Sequence, residues 1–283
     1  MSPGSEIAFK MFLSSAPDER KQRLLRFLSE EETLRLRELP DLAETPERGG
    51  WAFQSLVDSV HWSWLIAPLK AYSNHEQKLF LASLDPSLSE PIAKSLHLFG
   101  SLPSISQTAK NYFRSCLENS LLTDEKALLP MQYLAENPLS ELLKCSKKQL
   151  MHLVDLLSLQ DLAAEIRHIV ETKTLKKIYS FLTKEEQKRL KEISSQKDLF
   201  PTKRLSLGRW DGTEESLRLL LHKRGLARLG LALSGQDPQF VWYLIHQFDI
   251  GRAALIQLAL KKAPDERSES ICQEIKELIR DYL

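Results

Sequence analysis

The sequence predicts an all-α protein, an array of small helical modules, and three observations carry that reading. Apolar residues recur at intervals of three and four. The series Leu139, Leu142, Leu143, Leu150, Leu153, Val154, Leu157, Leu162, Ile166 and Ile169 lays a stripe along one face of successive helices. Only 10 of the 283 residues are Gly, too few for the tight hairpins and phosphate-cradling loops that need positive φ. Helix starts are written repeatedly as capping boxes, in which a small polar side chain and a Glu or Gln three residues later satisfy each other's free N–H groups.

The elements follow in order. Residues 1–48 are expected to form an N-terminal helical domain, with a helix opened by Ser29 and Glu32. The segment Pro40 to Gly50, PDLAETPERGG, reads as a linker. Residues 49–125 are expected to be a helical middle domain. Ser73 with Glu76 opens one helix there, and Asp85-Pro86 supplies a cap followed by Pro at the first helical position. The loop Phe99 to Ser106, FGSLPSIS, is apolar enough to be expected to pack down. Residues 126–200 hold Ser146 with Gln149 and Thr183 with Glu186. A third linker runs from Ser194 to Asp211 and contains the helix-stopping Pro201. Residues 201–283 are expected to begin at an Asp211–Glu214 box and to restart at Asp237-Pro238.

A repeat is visible within this series. Phe27 to Leu39 reads FLSEEETLRLREL and Phe181 to Ile193 reads FLTKEEQKRLKEI. The unit is an aromatic-Leu pair, expected to be buried, then a capping hydroxyl, then acids at the positive end of the helix dipole. A second skeleton recurs as well: Leu56-Val57 with Trp64, and Leu142-Leu143 with Leu150. Degenerate helical units of this kind stack so that neighbours bury each other's faces.

Composition narrows the function. Lys and Arg number 39 against 38 Asp and Glu, so the basic excess that phosphate neutralisation demands is missing and no nucleic-acid partner is expected. Cys116, Cys145 and Cys272 lie far apart with no CxxC spacing, which points to a reducing compartment. The apolar run before Ala16 is broken by Lys10, a poor signal peptide. No stretch approaches the roughly 20 apolar residues of a membrane span. The expectation is a cytoplasmic protein without direct membrane insertion.

No catalytic set stands out. The seven His residues show no HExxH and no Cys pair to complete a zinc site, so no metal, cofactor or enzyme activity is expected. Cys145, between Lys144 and Ser146, reads as a structural cysteine rather than a nucleophile. Lys203, Arg204 and Arg209, together with His222 to Arg228 (HKRGLAR), read as a solvated basic face offset by Glu214 and Glu215. Trp51, Trp62, Trp64 and Trp242 fall mostly at core spacing. Trp62 and Trp64 cannot both face one core from a single helix, so one of them is expected to touch a neighbouring module or a partner.

Three stretches carry a resemblance to the flagellar motor-switch protein family, FliG. Leu24 to Leu39 (LLRFLSEEETLRLREL) is similar to the family's N-terminal Leu-rich helix, L-S-E-E-E and second helix. Leu139 to Ile193 is similar to its armadillo-type helices. Leu229 to Ala254 (LGLALSGQDPQFVWYLIHQFDIGRAA) resembles its L-A-L-A-L-K-G segment, a helix, and R-A-A, with one inserted residue near Ile250-Gly251. The resemblance implies FliG-like right-handed helical repeats, with an armadillo-like domain over 126–200 and a C-terminal domain over 201–283.

It also implies a non-enzymatic adaptor at the cytoplasmic, inner-membrane face of a flagellar or type III secretion basal body. The N-terminal helices, through Leu24, Leu25, Phe27 and Leu28, would dock a FliF-like membrane-ring protein. Later modules would engage a FliM/FliN-like cytoplasmic ring component, with Arg252, Lys261 and Lys262 at the C-terminal contact. A homo-oligomeric ring is a further implication. The sequence departs from the family in two places: no E-H-P-Q string occurs, and the positions seven and eight beyond Arg252 are Ala259 and Leu260 rather than an acidic pair. Lys261 and Lys262 follow, so a torque role is not expected. A helical-repeat scaffold unrelated to secretion remains the alternative.

Overall fold

Local chemistry sets where the helices begin. In the computed structural model, which describes residues 9–10, 13, 18–38, 55–122, 128–195, 205, 207, 210–260 and 266–282, Ser73 and Ser146 form reciprocal capping boxes with Glu76 and Gln149. Ser29 with Glu32 and Thr183 with Glu186 do the same. Asp237 accepts the N–H groups of Gln239 and Phe240 at 2.8 and 3.1 Å, whereas Asp85 makes no such bond and its helix starts on Pro86 alone. One start is corrected: the cap is Thr213, which accepts from the Ser216 N–H. Asp211 instead accepts from the Thr213 N–H and hydroxyl, both at 2.8 Å. With two oxygens competing, the hydroxyl two residues nearer the helix takes the cap.

Every regular element among the described residues is helical. Helices α1 (Asp18–Leu25) and α2 (Glu30–Glu38) come first. The middle module holds α3 (Leu56–Ser59), a 3-10 turn (Trp62–Leu65), α4 (Ile66–Leu69), α5 (Asn74–Ala82), α6 (Pro86–Ser95) and α7 (Gln107–Leu121). Short 3-10 turns at Met131–Tyr133 and Ser140–Lys144 lead to α8 (Lys147–Ile166), α9 (Thr172–Phe181) and α10 (Lys184–Ser195). Then follow α11 (Glu214–Ala232), α12 (Pro238–His246), α13 (Ile250–Ala259) and α14 (Glu266–Tyr282).

Two apolar cores organise these helices. Val57, Leu65, Leu69, Phe80, Ile92 and Leu117 close the middle module. A larger core runs from Leu139 to Leu278, so the expected segments 126–200 and 201–283 share one interior. Leu205 and Leu207, from the third expected linker, are buried in it. The loop after α6 does not pack down as its composition suggests: Phe99 is 80% exposed. The Pro40–Gly50 linker, and all three expected domain boundaries, lie outside the described residues.

Helix α11 is the axle of the larger core, lying against α8, α13 and α14. Two glycines permit this. A Cβ on Gly225 would stand 1.8 Å from the Val154 carbonyl oxygen, and one on Gly230 would stand 2.3 Å from that of Ile256. Any side chain there would push the helices apart. Arg228, expected on a solvated basic face, is corrected: it is 1% exposed and bonds Asp161 of α8 at 3.3 Å and Glu274 of α14 at 2.6 Å. Burial pushes the Glu274 carboxyl up while Arg228 pulls it back. Such a triad fixes the register of three helices, because any slip strands a charge in apolar surroundings.

Candidate functional site

The seam between the two cores concentrates the polar chemistry. The turn at Trp62–Leu65 presents Trp64 to the C-terminal unit, where its indole N–H donates to the Phe248 carbonyl at 2.9 Å. The His246 ring lies 4.1 Å from Trp64 and stacks 3.7 Å from Trp242. Trp62 packs against the middle core, so Trp64 is the member of the pair that reaches a neighbouring module. The His61 N–H donates to the His246 carbonyl at 2.7 Å, and the Ile250 N–H to the Ser63 hydroxyl at 3.2 Å.

His61 is held neutral at this seam. Its Nε2 lies 2.9 Å from Lys147 Nζ. Its Nδ1 lies 2.9 Å from the Ser63 hydroxyl and caps the turn by accepting the Ser63 N–H at 3.2 Å. Burial, and then the Lys147 charge, push this imidazole down to about 4. Burial likewise holds His246 below its ordinary value.

A second chain of polar groups crosses α8, α11 and α13. Asp155 Oδ1 is 3.0 Å from His222 Nδ1, and Arg252 Nε donates to His222 Nε2 at 2.9 Å. Arg252 also pairs with Asp249, whose carboxylate caps α13 by accepting the Arg252 N–H. Burial raises the Asp249 pKa, but the hydrogen bonds from Arg252 outweigh it and hold the group low. An Asp–His pair orients an imidazole as in general-base chemistry. Here Arg252 already occupies the basic nitrogen, so the pair is wired as a structural link. Burial raises the Cys145 and Cys272 thiols, the opposite of thiolate activation. Among the described residues, no group of three or more His, Cys, Asp or Glu is placed to hold a metal ion, and no helix is long and apolar enough to cross a membrane.

Beside the seam a cavity of about 580 Å3 opens between α3 and α7 on one side and residues 128–144 with Tyr243 of α12 on the other. Glu118 of α7 reaches to the start of α3, where its Oε1 accepts the Leu56 N–H at 3.1 Å and the Ser55 hydroxyl. The Tyr243 hydroxyl donates to the Leu129 carbonyl at 2.8 Å. Burial, reinforced by the Glu118 charge, pushes this phenol up to about 12.

The residues singled out by sequence are dispersed. Phe27 lies in the turn between α1 and α2, closed by the Phe27 N–H to the Leu24 carbonyl at 3.1 Å, and is 87% exposed. Leu24, Leu25 and Leu28 beside it are half-buried, and Leu34 on α2 is 58% exposed. The expected burial of the Phe27-Leu28 pair is corrected on this point: no core covers the ring. Arg252 is turned inward to Asp249 and His222. Lys261 and Lys262 lie outside the described residues. Sequence reasoning missed His61, Lys147, Glu118 and Tyr243 as members of shared sites. The one local signal was Glu118, a single acid inside the apolar run CLENSLL.

No family model, curated protein or solved structure matches this chain.

Proposed function

We propose that the chain is a non-enzymatic adaptor, built of FliG-like, armadillo-type helical modules, at the cytoplasmic inner-membrane face of a flagellar or type III secretion base. Its N-terminal helices dock a FliF-like membrane-ring protein, and its later modules engage a FliM/FliN-like ring component. The observation that carries this reading is the bare aromatic at the α1–α2 turn. Phe27 and Leu34 offer apolar surface that neither core uses, and covering a Phe or Leu side chain is worth about 1.5–3 kcal/mol.

The test places a photo-crosslinking phenylalanine analogue at position 27 in the native host. A crosslink to a ring component of a flagellar or secretion base is expected. Phe27→Asp should weaken that contact by about ten-fold or more, the loss of one buried aromatic, while leaving Tm unchanged because the ring is exposed. Retained binding in Phe27→Asp would sink N-terminal docking.

One observation favours a second reading, a helical scaffold unrelated to secretion. The exposed face of α13 carries Ile250, Ala254 and Leu258, the last 85% exposed, so an apolar stripe lies where the resemblance calls for acids. Crosslinks only to proteins outside such a base would select it.

A further inference from the structure

The cavity beside the seam has a composition that selects its occupant. Its volume of about 580 Å3 lies in the range of sites that enclose a ligand or a cluster of side chains. Apolar walls come from both modules: Leu56 and Leu122 on one side, Met131, Leu134 and Leu143 on the other. Three charged side chains line it, Glu118, Glu136 and Lys144. Lys144 is already paired, its Nζ 2.8 Å from Glu141 Oε1. Glu118 forms no ion pair with a described residue. Both of its hydrogen bonds, from Ser55 and Leu56, end on Oε1, and no described residue donates to Oε2. The Tyr243 phenol, pushed up first by burial and then by the Glu118 charge, lines the same cavity.

A half-buried carboxylate with one oxygen left unbonded by the described residues offers a cation an acceptor. A guanidinium or ammonium would add a charge-assisted hydrogen bond at Oε2, and an apolar neighbour would displace water from the leucines and Met131. We infer that this cavity docks an apolar peptide segment of a partner protein, with one Arg or Lys side chain set against Glu118 and Leu-type side chains against Met131, Leu134 and Leu143. The inference rests on the adaptor reading and names the chemistry of one partner. It concerns the middle-module seam rather than the α1–α2 turn. The turn is read by crosslinking and the seam by direct titration, so either can fail alone.

The full chain is titrated with acetyl-Leu-Leu-Arg-Leu-Leu-amide, with the same peptide carrying Glu in place of Arg, and with octylamine. The readout is the carbon-13 methyl signal of Met131. The Arg peptide is expected to move that signal and to bind about ten-fold tighter than the Glu peptide, one charge-assisted contact's worth of discrimination. Glu118→Gln keeps an oxygen for Ser55 and Leu56 but removes the charge, and should erase most of the preference. Glu136→Gln, at an exposed position, should erase the remainder. Equal or tighter binding of the Glu peptide, a preference that survives both substitutions, or no movement of the Met131 signal up to about 5 mM, the weak end of measurable affinity, overturns the inference. A response to octylamine alone also overturns it, and assigns the cavity to a small amphiphile.

Discussion

In the two copies of the repeat, the capping hydroxyl does the same work: Ser29 and Thr183 each accept the N–H of the Glu three residues on, both at 3.2 Å. Their surroundings differ. Phe27 stands in solvent, while Phe181 packs edge-on to Trp210 with ring centroids 6.2 Å apart. Glu32 is half-buried and, among the described residues, bonds only within its cap, whereas Glu186 is buried and pairs with Arg218 of α11 at 2.6 Å. Leu182, Leu190 and Ile193 join the large core, and Leu28 does not. The shared sequence therefore specifies a turn, a cap and an amphipathic helix, and nothing about what covers them. Helix α11 completes the second copy. The first copy keeps an open apolar turn, on which the proposed adaptor role rests.

The comparison breaks most severely at the axle. Arg228→Ala removes the cation between two buried carboxylates, and should cost the C-terminal unit about 3–5 kcal/mol. The helicity of α1 and α2 should be untouched. Hydrogen exchange resolved by segment checks this, and equal loss of protection in both copies would show that the first depends on the core after all.

A smaller effect separates the capping acids. Glu186→Gln keeps an acceptor for the Thr183 N–H but forfeits the charge opposite Arg218, costing about 1–2 kcal/mol as a partly buried charged hydrogen bond. Glu32→Gln, whose carboxylate bonds among the described residues only within its own cap, should move the melting curve less. Parallel thermal melts decide it, and matched shifts in the two variants would erase the distinction drawn between the copies.

The smallest effect is a pH response that belongs to the seam and not to the first copy. His61 is held at about 4 when folded against an ordinary 6.5, so the unfolded state binds a proton first as pH falls. Its contribution to stability is complete above 6.5, declines through that window and is spent below about 4. Glu32 is held below its ordinary 4.5 by hydrogen bonds to Ser29. Its contribution persists above 4.5 and is lost only as pH falls through the lowered value. Between pH 6.5 and 4.5 the denaturant midpoint, followed by tryptophan fluorescence, should fall, and His61→Gln should flatten that fall. A slope unchanged by the substitution would move its origin to another group.

What was legible and what was not divides by distance along the chain. The all-α class and the starts at Ser29, Ser73, Ser146, Thr183 and Asp237 could be read from the sequence, because a cap is a contact over three residues and an amphipathic stripe is a periodicity within one helix. Asp211 was misread even locally, since Thr213 lay close enough to compete for the same N–H groups. Arg228 looked like part of a surface run because its partners, Asp161 and Glu274, lie 67 and 46 positions away. The seam was visible only as a geometric constraint on Trp62 and Trp64; that Trp64 would find Phe248, 184 positions on, was not.

By itself, then, the sequence determined the helices and most of their caps, whose energies are set by neighbours within a turn or two. The tertiary structure alone decided which identical-looking acids and aromatics are buried, that His61 stays neutral beside Lys147, and that Glu118 faces a cavity without an ion-pair partner among the described residues. Burial and charge pairing depend on residues brought together across the chain, and the same FL–S/T–x–E–E unit acquires opposite roles according to which helix lies opposite it.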